Sequence, residues 1–74
     1  MEKIRKGIYQ HFKGNRYLVL GEVTNSETRE TLVLYIPLYG NFQMLVRPKA
    51  MFLDDVDKPE LNYKGLRFRY VGES

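Results

Sequence analysis

The chain has 74 residues, with 12 lysines and arginines against 9 aspartates and glutamates, a net charge of +3 and no cysteine. A length of this order makes one domain, 1–74, whose folding buries only about 60–65% of the unfolded surface, so most large apolar residues are needed for packing. The composition excludes disulfides and thiolate metal sites, and the longest apolar run, Leu32 to Ile36, is far too short to cross a bilayer.

The N-terminal "MEKIRKG" is charged and has no apolar segment behind it, which argues against a signal peptide. A soluble cytoplasmic protein without a membrane partner is expected. Basic residues gather at Lys3, Arg5 and Lys6 and again at Arg67 and Arg69, with Asp54, Asp55 and Asp57 between them. So mild an excess permits an anionic partner without demanding one.

Strand signals dominate the pattern. Residues 7–12, "GIYQHF", are β-branched and aromatic, and "KGN" at 13–15 follows as a turn. Residues 16–24, "RYLVLGEVT", predict a second strand with Tyr17, Val19 and Val23 on one face and Leu18 and Leu20 on the other. Gly21 inside it marks a bulge or bend. "NSETRE" at 25–30 is a turn that Asn25 and Ser26 can initiate through their own backbone and Thr28 can cap. Residues 31–37 form a third strand, apolar on both faces and so expected to be central and covered outside. Pro37 ends its ladder, Gly40-Asn41 gives a loop, and residues 42–47 make a fourth strand stopped by Pro48. "PKAMFLDD" at 48–55 suits one helical turn, with Met51 and Phe52 plugging the core. Residues 57–64 read as a polar loop, and residues 65–71 as a fifth strand with Leu66, Phe68 and Tyr70 inward and Arg67 and Arg69 outward.

Five short strands with tight turns and one short helical turn predict an all-β fold, a small five-stranded SH3-like barrel rather than an OB-fold, which has no room for its usual helix between strands three and four.

In order along the chain stand "GIYQHFKG", "YLV", "NSETRE", "VLY", "LYG", "LVRP", "MF" and "RF". This series resembles the bacterial and phage family known as domain of unknown function 1653 and covers nearly the whole chain. Two positions depart from the family pattern: Asn25 stands where the family often has histidine, and Leu45 where it often has tryptophan. The resemblance supports the fold and the choice of candidate residues, and implies no activity.

Nucleophilic catalysis needs a Ser, Cys or Thr beside an oriented base. Cysteine is absent and His11 is the single histidine. A metal centre has too few donors, "DDVD" at 54–57 lacks the spacing of a calcium loop, and Lys13-Gly14-Asn15 is a hairpin turn rather than a phosphate loop. No catalytic residue, metal or cofactor is assigned. The candidate ligand-binding set is Tyr9, His11, Lys13, Glu27, Thr28, Tyr39 and Arg47. Arginine and lysine suit phosphate, Tyr39 and Tyr9 suit stacking, and His11, Glu27 and Thr28 offer hydrogen bonds. The structural alternative is that Glu27 or Glu30 pairs with Arg47 or Lys13 and orders the strands. Six tyrosines and no tryptophan favour several hydroxyls at a surface or rim. The ends of strand three lie roughly 20–25 Å apart, so one small ligand reaches both only across a homo-oligomer.

The expectation is a non-enzymatic binding module for an anionic ligand: a nucleotide, a nucleic acid or a phosphorylated small molecule, with a phage-type nucleotide-sequestering protein within that class. The alternatives are a barrel that binds a protein or peptide partner, and a small enzyme using His11 with Glu27 or Glu30.

Overall fold

A computed structural model describes residues 4–73. Among the described residues seven strands run in the order β1 (Gly7–His11), β2 (Arg16–Thr24), β3 (Thr31–Pro37), β4 (Leu45–Pro48), β5 (Asp55–Lys58), β6 (Tyr63–Leu66) and β7 (Phe68–Gly72). A four-residue helix α1 (Lys49–Phe52) precedes β5, and a 3-10 turn (Pro59–Leu61) separates β5 from β6. No helix among the described residues is long and apolar enough to cross a membrane.

The strands form an antiparallel five-stranded sheet in the order β4-β3-β2-β1-β7 and a separate hairpin, β5-β6. The fold is mostly β, as expected, but the sheet is open and not a closed five-stranded barrel. β4 and β7 are its two edges. After Pro48 the chain turns into α1 instead of continuing the ladder. The segment expected as a polar loop at 57–64 supplies most of the second hairpin. There Asp57 stands opposite Lys64 in the ladder, Val56 is buried and Tyr63 stacks on Phe12, so cross-strand pairing and two apolar anchors hold the hairpin. Residues 65 and 66, expected in the last strand, belong to β6. The fourth strand begins at Leu45 and not at 42, because Phe42 takes a left-handed φ of 53° that no strand accepts.

Cross-strand rows explain the core. Tyr70, Tyr9, Tyr17 and Pro37 form one row. Gly7, Val19, Tyr35 and Leu45 form the next. Residues opposite one another share a face, so both rows lie on the inner face, where Tyr9, Val19, Val33, Tyr35, Phe52 and Phe68 make one buried cluster. Val19 and Val33 are almost wholly enclosed, each contributing about 1.5–3 kcal/mol by burial. Phe52 seats α1 on this face, its ring stacked on Phe68 at 4.2 Å and 3°. Met51 is half exposed and does not plug the core. A four-residue helix presents one side inward, and Phe52 occupies it.

Gly21 marks the expected irregularity. The β2-β3 register slips between Val19 and Gly21, leaving Leu20 as the extra residue. Gly21 has φ +148°, where a side chain would be strained. One inserted residue inverts the alternation beyond it. Val23 therefore pairs with Leu32 and points to the outer face, against the expectation from simple alternation. Glu22 takes its place beside Val33 on the inner face. Its carboxylate accepts from Lys49 Nζ at 2.9 Å and from the Ile4 amide at 3.0 Å, joining β2, α1 and the N-terminal segment.

Candidate functional site

The β1-β2 hairpin places His11 and Tyr17 at one end of the inner face. His11 is the last residue of β1 and pairs with Phe68 of β7. Tyr17 pairs with both Tyr9 and Pro37. Tyr17 is the hub of an aromatic cluster. Its ring meets Tyr35 at 5.5 Å, Phe68 at 5.5 Å, Tyr39 at 5.8 Å and His11 at 6.4 Å, all edge to face. Tyr35 and Phe68 are buried and form the floor. Tyr39, 47% exposed, stands at the rim on the β3-β4 loop.

Polar groups fix these rings. The Tyr17 and Tyr39 hydroxyls share a hydrogen bond of 3.0 Å. Arg47 is cross-strand from Val33 and so also points inward. Its Nε donates to the Tyr35 hydroxyl at 3.5 Å, and its guanidinium carbon lies 5.5 Å from the Phe68 ring centre, within cation-π range. The Tyr17 phenol is pushed up to about 12, first by burial, then by its hydrogen bond to Tyr39 and the nearby phenols, with Arg47 opposing.

His11 reports the charge around it. Its Nδ1 accepts from the Lys13 amide at 3.1 Å, so the neutral ring carries its proton on Nε2. The imidazole is held below its ordinary 6.5, first by burial and then by the positive fields of Arg67, Arg47 and Lys13. Arg67 has a carboxylate partner, Asp54 at 2.8 Å. The ion pairs among the described residues are Lys49–Glu22 and Arg67–Asp54, so neither Arg47 nor Lys13 is neutralised by a carboxylate. Lys13 instead lies 5.9 Å from the Phe12 ring centre. The face carries positive charge beside half-exposed rings, and it offers donors from Arg47, Lys13, His11 and the tyrosines.

Of the seven candidates chosen from the sequence, His11, Lys13, Tyr39 and Arg47 come together here. Tyr9 does not. It is 6% exposed, its ring is enclosed by Phe52 and Tyr70, and its hydroxyl donates to the Arg5 carbonyl at 2.9 Å, so it presents no face for stacking. Glu27 and Thr28 lie at the opposite end of the β2-β3 hairpin. The row Tyr17–Pro37 and the row Thr24–Thr31 close its two ends, roughly 20 Å apart at strand rise. The pairing of His11 with Glu27 or Glu30 is therefore not formed, and neither is an ion pair from those glutamates to Arg47 or Lys13.

The 25–30 turn is tied to itself instead. Asn25 Oδ1 accepts from the amides of Glu27 and Thr28, at 2.9 and 3.2 Å, and Thr28 Oγ1 accepts from the Glu30 amide at 3.2 Å. These bonds hold Arg29 at φ 66°. At position 25, where the family often has histidine, the side chain thus acts as a cap. Leu45, where the family often has tryptophan, is half-buried against the core beside Tyr35. Tyr17, Tyr35, Phe68 and Arg67 complete the site without having been among the candidates. The signal for them was alternation: Tyr17 and Tyr35 occupy inward positions of their strands. Among the described residues there is no group of histidines and acids that could hold a metal ion. Of the N-terminal basic cluster, Lys3 lies outside the described residues.

No curated protein matches this chain. A family model described as "Protein of unknown function (DUF1653)" matches residues 7–70. The chain is similar to a crystal structure of a DUF1653 protein from Bordetella bronchiseptica, with 36% identity and a TM-score of 0.86 over 96% of this chain and 91% of that one. A match of that extent in both sequence and fold places the motifs quoted above in their family context: the chain belongs to the DUF1653 family.

Proposed function

We propose that this chain is a non-enzymatic binding module whose aromatic face takes an anionic ligand bearing a planar group, of the nucleotide class. One observation carries the reading. Arg47 and Lys13, neither paired with a carboxylate among the described residues, converge with Arg67 on His11 beside the Tyr17–Tyr39 pair. Arginine matches phosphate oxygens with a planar fork, and tyrosine rings stack on bases. The neutral imidazole donates through Nε2 to a carbonyl or phosphate oxygen. The strand order, a four-strand meander with the last strand returned to β1, supports reading the sheet as an SH3-like barrel left open, with the site at one end. Sequestration of a nucleotide is compatible with such a face.

The test is equilibrium binding of a mononucleotide panel at two salt concentrations, with wild type and Arg47→Gln. Salt-sensitive binding that weakens at least tenfold in the folded variant supports the reading. Absence of binding, or binding indifferent to Arg47, overturns it. A second reading rests on the β3-β4 loop and the strand after it, where Leu38, Tyr39, Phe42 and Met44 of the loop and Val46 of β4 are all exposed. Such a run suits a protein partner. It predicts capture that survives Arg47→Gln and fails in Phe42→Ser.

A further inference from the structure

Next to the aromatic face lies a cleft of about 450 Å³, lined by Phe12, Lys13, Leu61, Asn62 and Tyr63. Its walls come from the β1-β2 turn on one side and from the 3-10 turn and the start of β6 on the other. Phe12 follows β1, and its amide donates to the Arg67 carbonyl at 3.0 Å. Tyr63 opens β6. The two rings stack at 5.5 Å and 15°. Tyr63 is held in place: its hydroxyl donates to the Leu66 carbonyl at 2.6 Å. A Cβ on Gly65 would lie 3.0 Å from that hydroxyl, so the absence of a side chain there makes room for it. Leu61 is 55% exposed at the mouth, and Asn62, in the left-handed conformation, caps the 3-10 turn there.

The cleft adjoins the first site through Lys13 and through the contact of Phe12 with His11. His11 touches Phe12 at 4.4 Å between ring centres and Tyr17 at 6.4 Å. Rings therefore run from Tyr63 through Phe12, His11 and Tyr17 to Tyr39, in steps of 4.4 to 6.4 Å. Cations accompany them, with Lys13 beside Phe12 and Arg47 beside Phe68. A series of stacking surfaces interleaved with positive charge matches the alternation of base and phosphate along a strand. A paired duplex has its base faces already stacked and cannot use such surfaces.

We infer that the Phe12–Tyr63 cleft is a second base subsite, and that the two together form a short track for single-stranded nucleic acid. This rests on the nucleotide reading of the first site and extends it. Each added stacked base is worth about tenfold in affinity.

The experiment is fluorescence anisotropy with labelled oligothymidylate and oligouridylate of increasing length, against a mononucleotide and a duplex of the same length. The expected result is affinity rising at least tenfold from one nucleotide to about four, for either sugar, with the duplex weaker than the single strand. Phe12→Leu should abolish the gain with length while Arg47-dependent mononucleotide binding persists. Lys13→Gln, an exposed change that spares the core, should lower the salt slope of oligonucleotide binding by about one. Length-independent affinity, or a gain that persists in Phe12→Leu, overturns the second subsite while the Arg47-dependent mononucleotide site stands. Failure of every nucleotide and oligonucleotide to bind removes both.

Discussion

Phe52 is the residue through which the short helix reaches the sheet, and Phe52→Leu measures how much that connection contributes. The phenylalanine is 1% exposed and meets Phe68 face to face at 4.2 Å, Tyr9 at 5.3 Å and Tyr35 at 5.7 Å. Leucine keeps much of the buried apolar area and loses the three ring contacts, each about 0.5–1.5 kcal/mol beyond area. Partial refilling of the space by the leucine puts the expected loss near 2–3 kcal/mol. A chain of 74 residues has roughly 4–11 kcal/mol in total, so the variant folds with a reduced margin. Phe52→Ala, at about 3–5 kcal/mol, leaves too little margin for a clean measurement. In urea, with a slope of about 1 kcal/mol per molar for so small a domain, the midpoint of the circular-dichroism transition should fall by about 2 M or more. Met51→Gln, on the exposed neighbour, serves as control and should stay within roughly 0.5 kcal/mol. A loss below about 0.5 kcal/mol in Phe52→Leu would refute the claim that α1 is seated on the core.

Two further outcomes follow from backbone and charge. Gly7→Ala places a Cβ 2.7 Å from the Gly72 carbonyl oxygen at φ +137°, whereas Gly14→Ala at φ +109° meets nothing within 4 Å. The second should cost on the order of 1–2 kcal/mol from backbone strain alone, and the first more, by thermal unfolding of both; equal losses would show that the contact with β7 yields freely. His11 binds its proton less readily folded than unfolded. Stability should therefore be level above pH 6.5 and decline as pH falls through 6.5 toward the lower folded value, since the unfolded chain takes up the proton first. His11→Asn, whose side-chain oxygen can still accept from the Lys13 amide, should flatten that decline in urea midpoints taken on either side of 6.5; a decline unchanged in the variant would assign it to another group.

β2 and β3 were legible to the residue because each is a long apolar segment bounded by turn chemistry. The second hairpin was not. Its strands carry Val56, Tyr63 and Leu66 among charges and a glycine, which by composition alone is a loop; contacts distant in sequence, the burial of Val56 and the stacking of Tyr63 on Phe12, anchor it as a ladder. Val23 was misplaced because alternation cannot see a bulge until the register is known. The site was half legible. His11, Lys13, Tyr39 and Arg47 stood out as unusual residue types, yet Tyr9 passed for a surface ring although it shares the inward phase of His11 two residues later. Tyr17 was the converse. It was read only as one face of the second strand, and the chain topology places it at the open end, against a loop distant in sequence. Such placement depends on the crossing from β3 to β4, which local pattern does not encode.

The open sheet has a consequence for how the molecule behaves among its own kind. An unpaired strand is a template for any extended chain that meets it, and this sheet has two. Neither is a good template. β4 is four residues long and ends in Pro48, which offers no donor. β7 is kinked by the register shift opposite Ile8 and Tyr9 and finishes at Gly72 with φ +153°. A straight incoming strand finds only a few consecutive groups in phase on either side. These irregularities therefore act as stops against edge-to-edge polymerisation, and replacing them with regular strand would be expected to raise the tendency to aggregate.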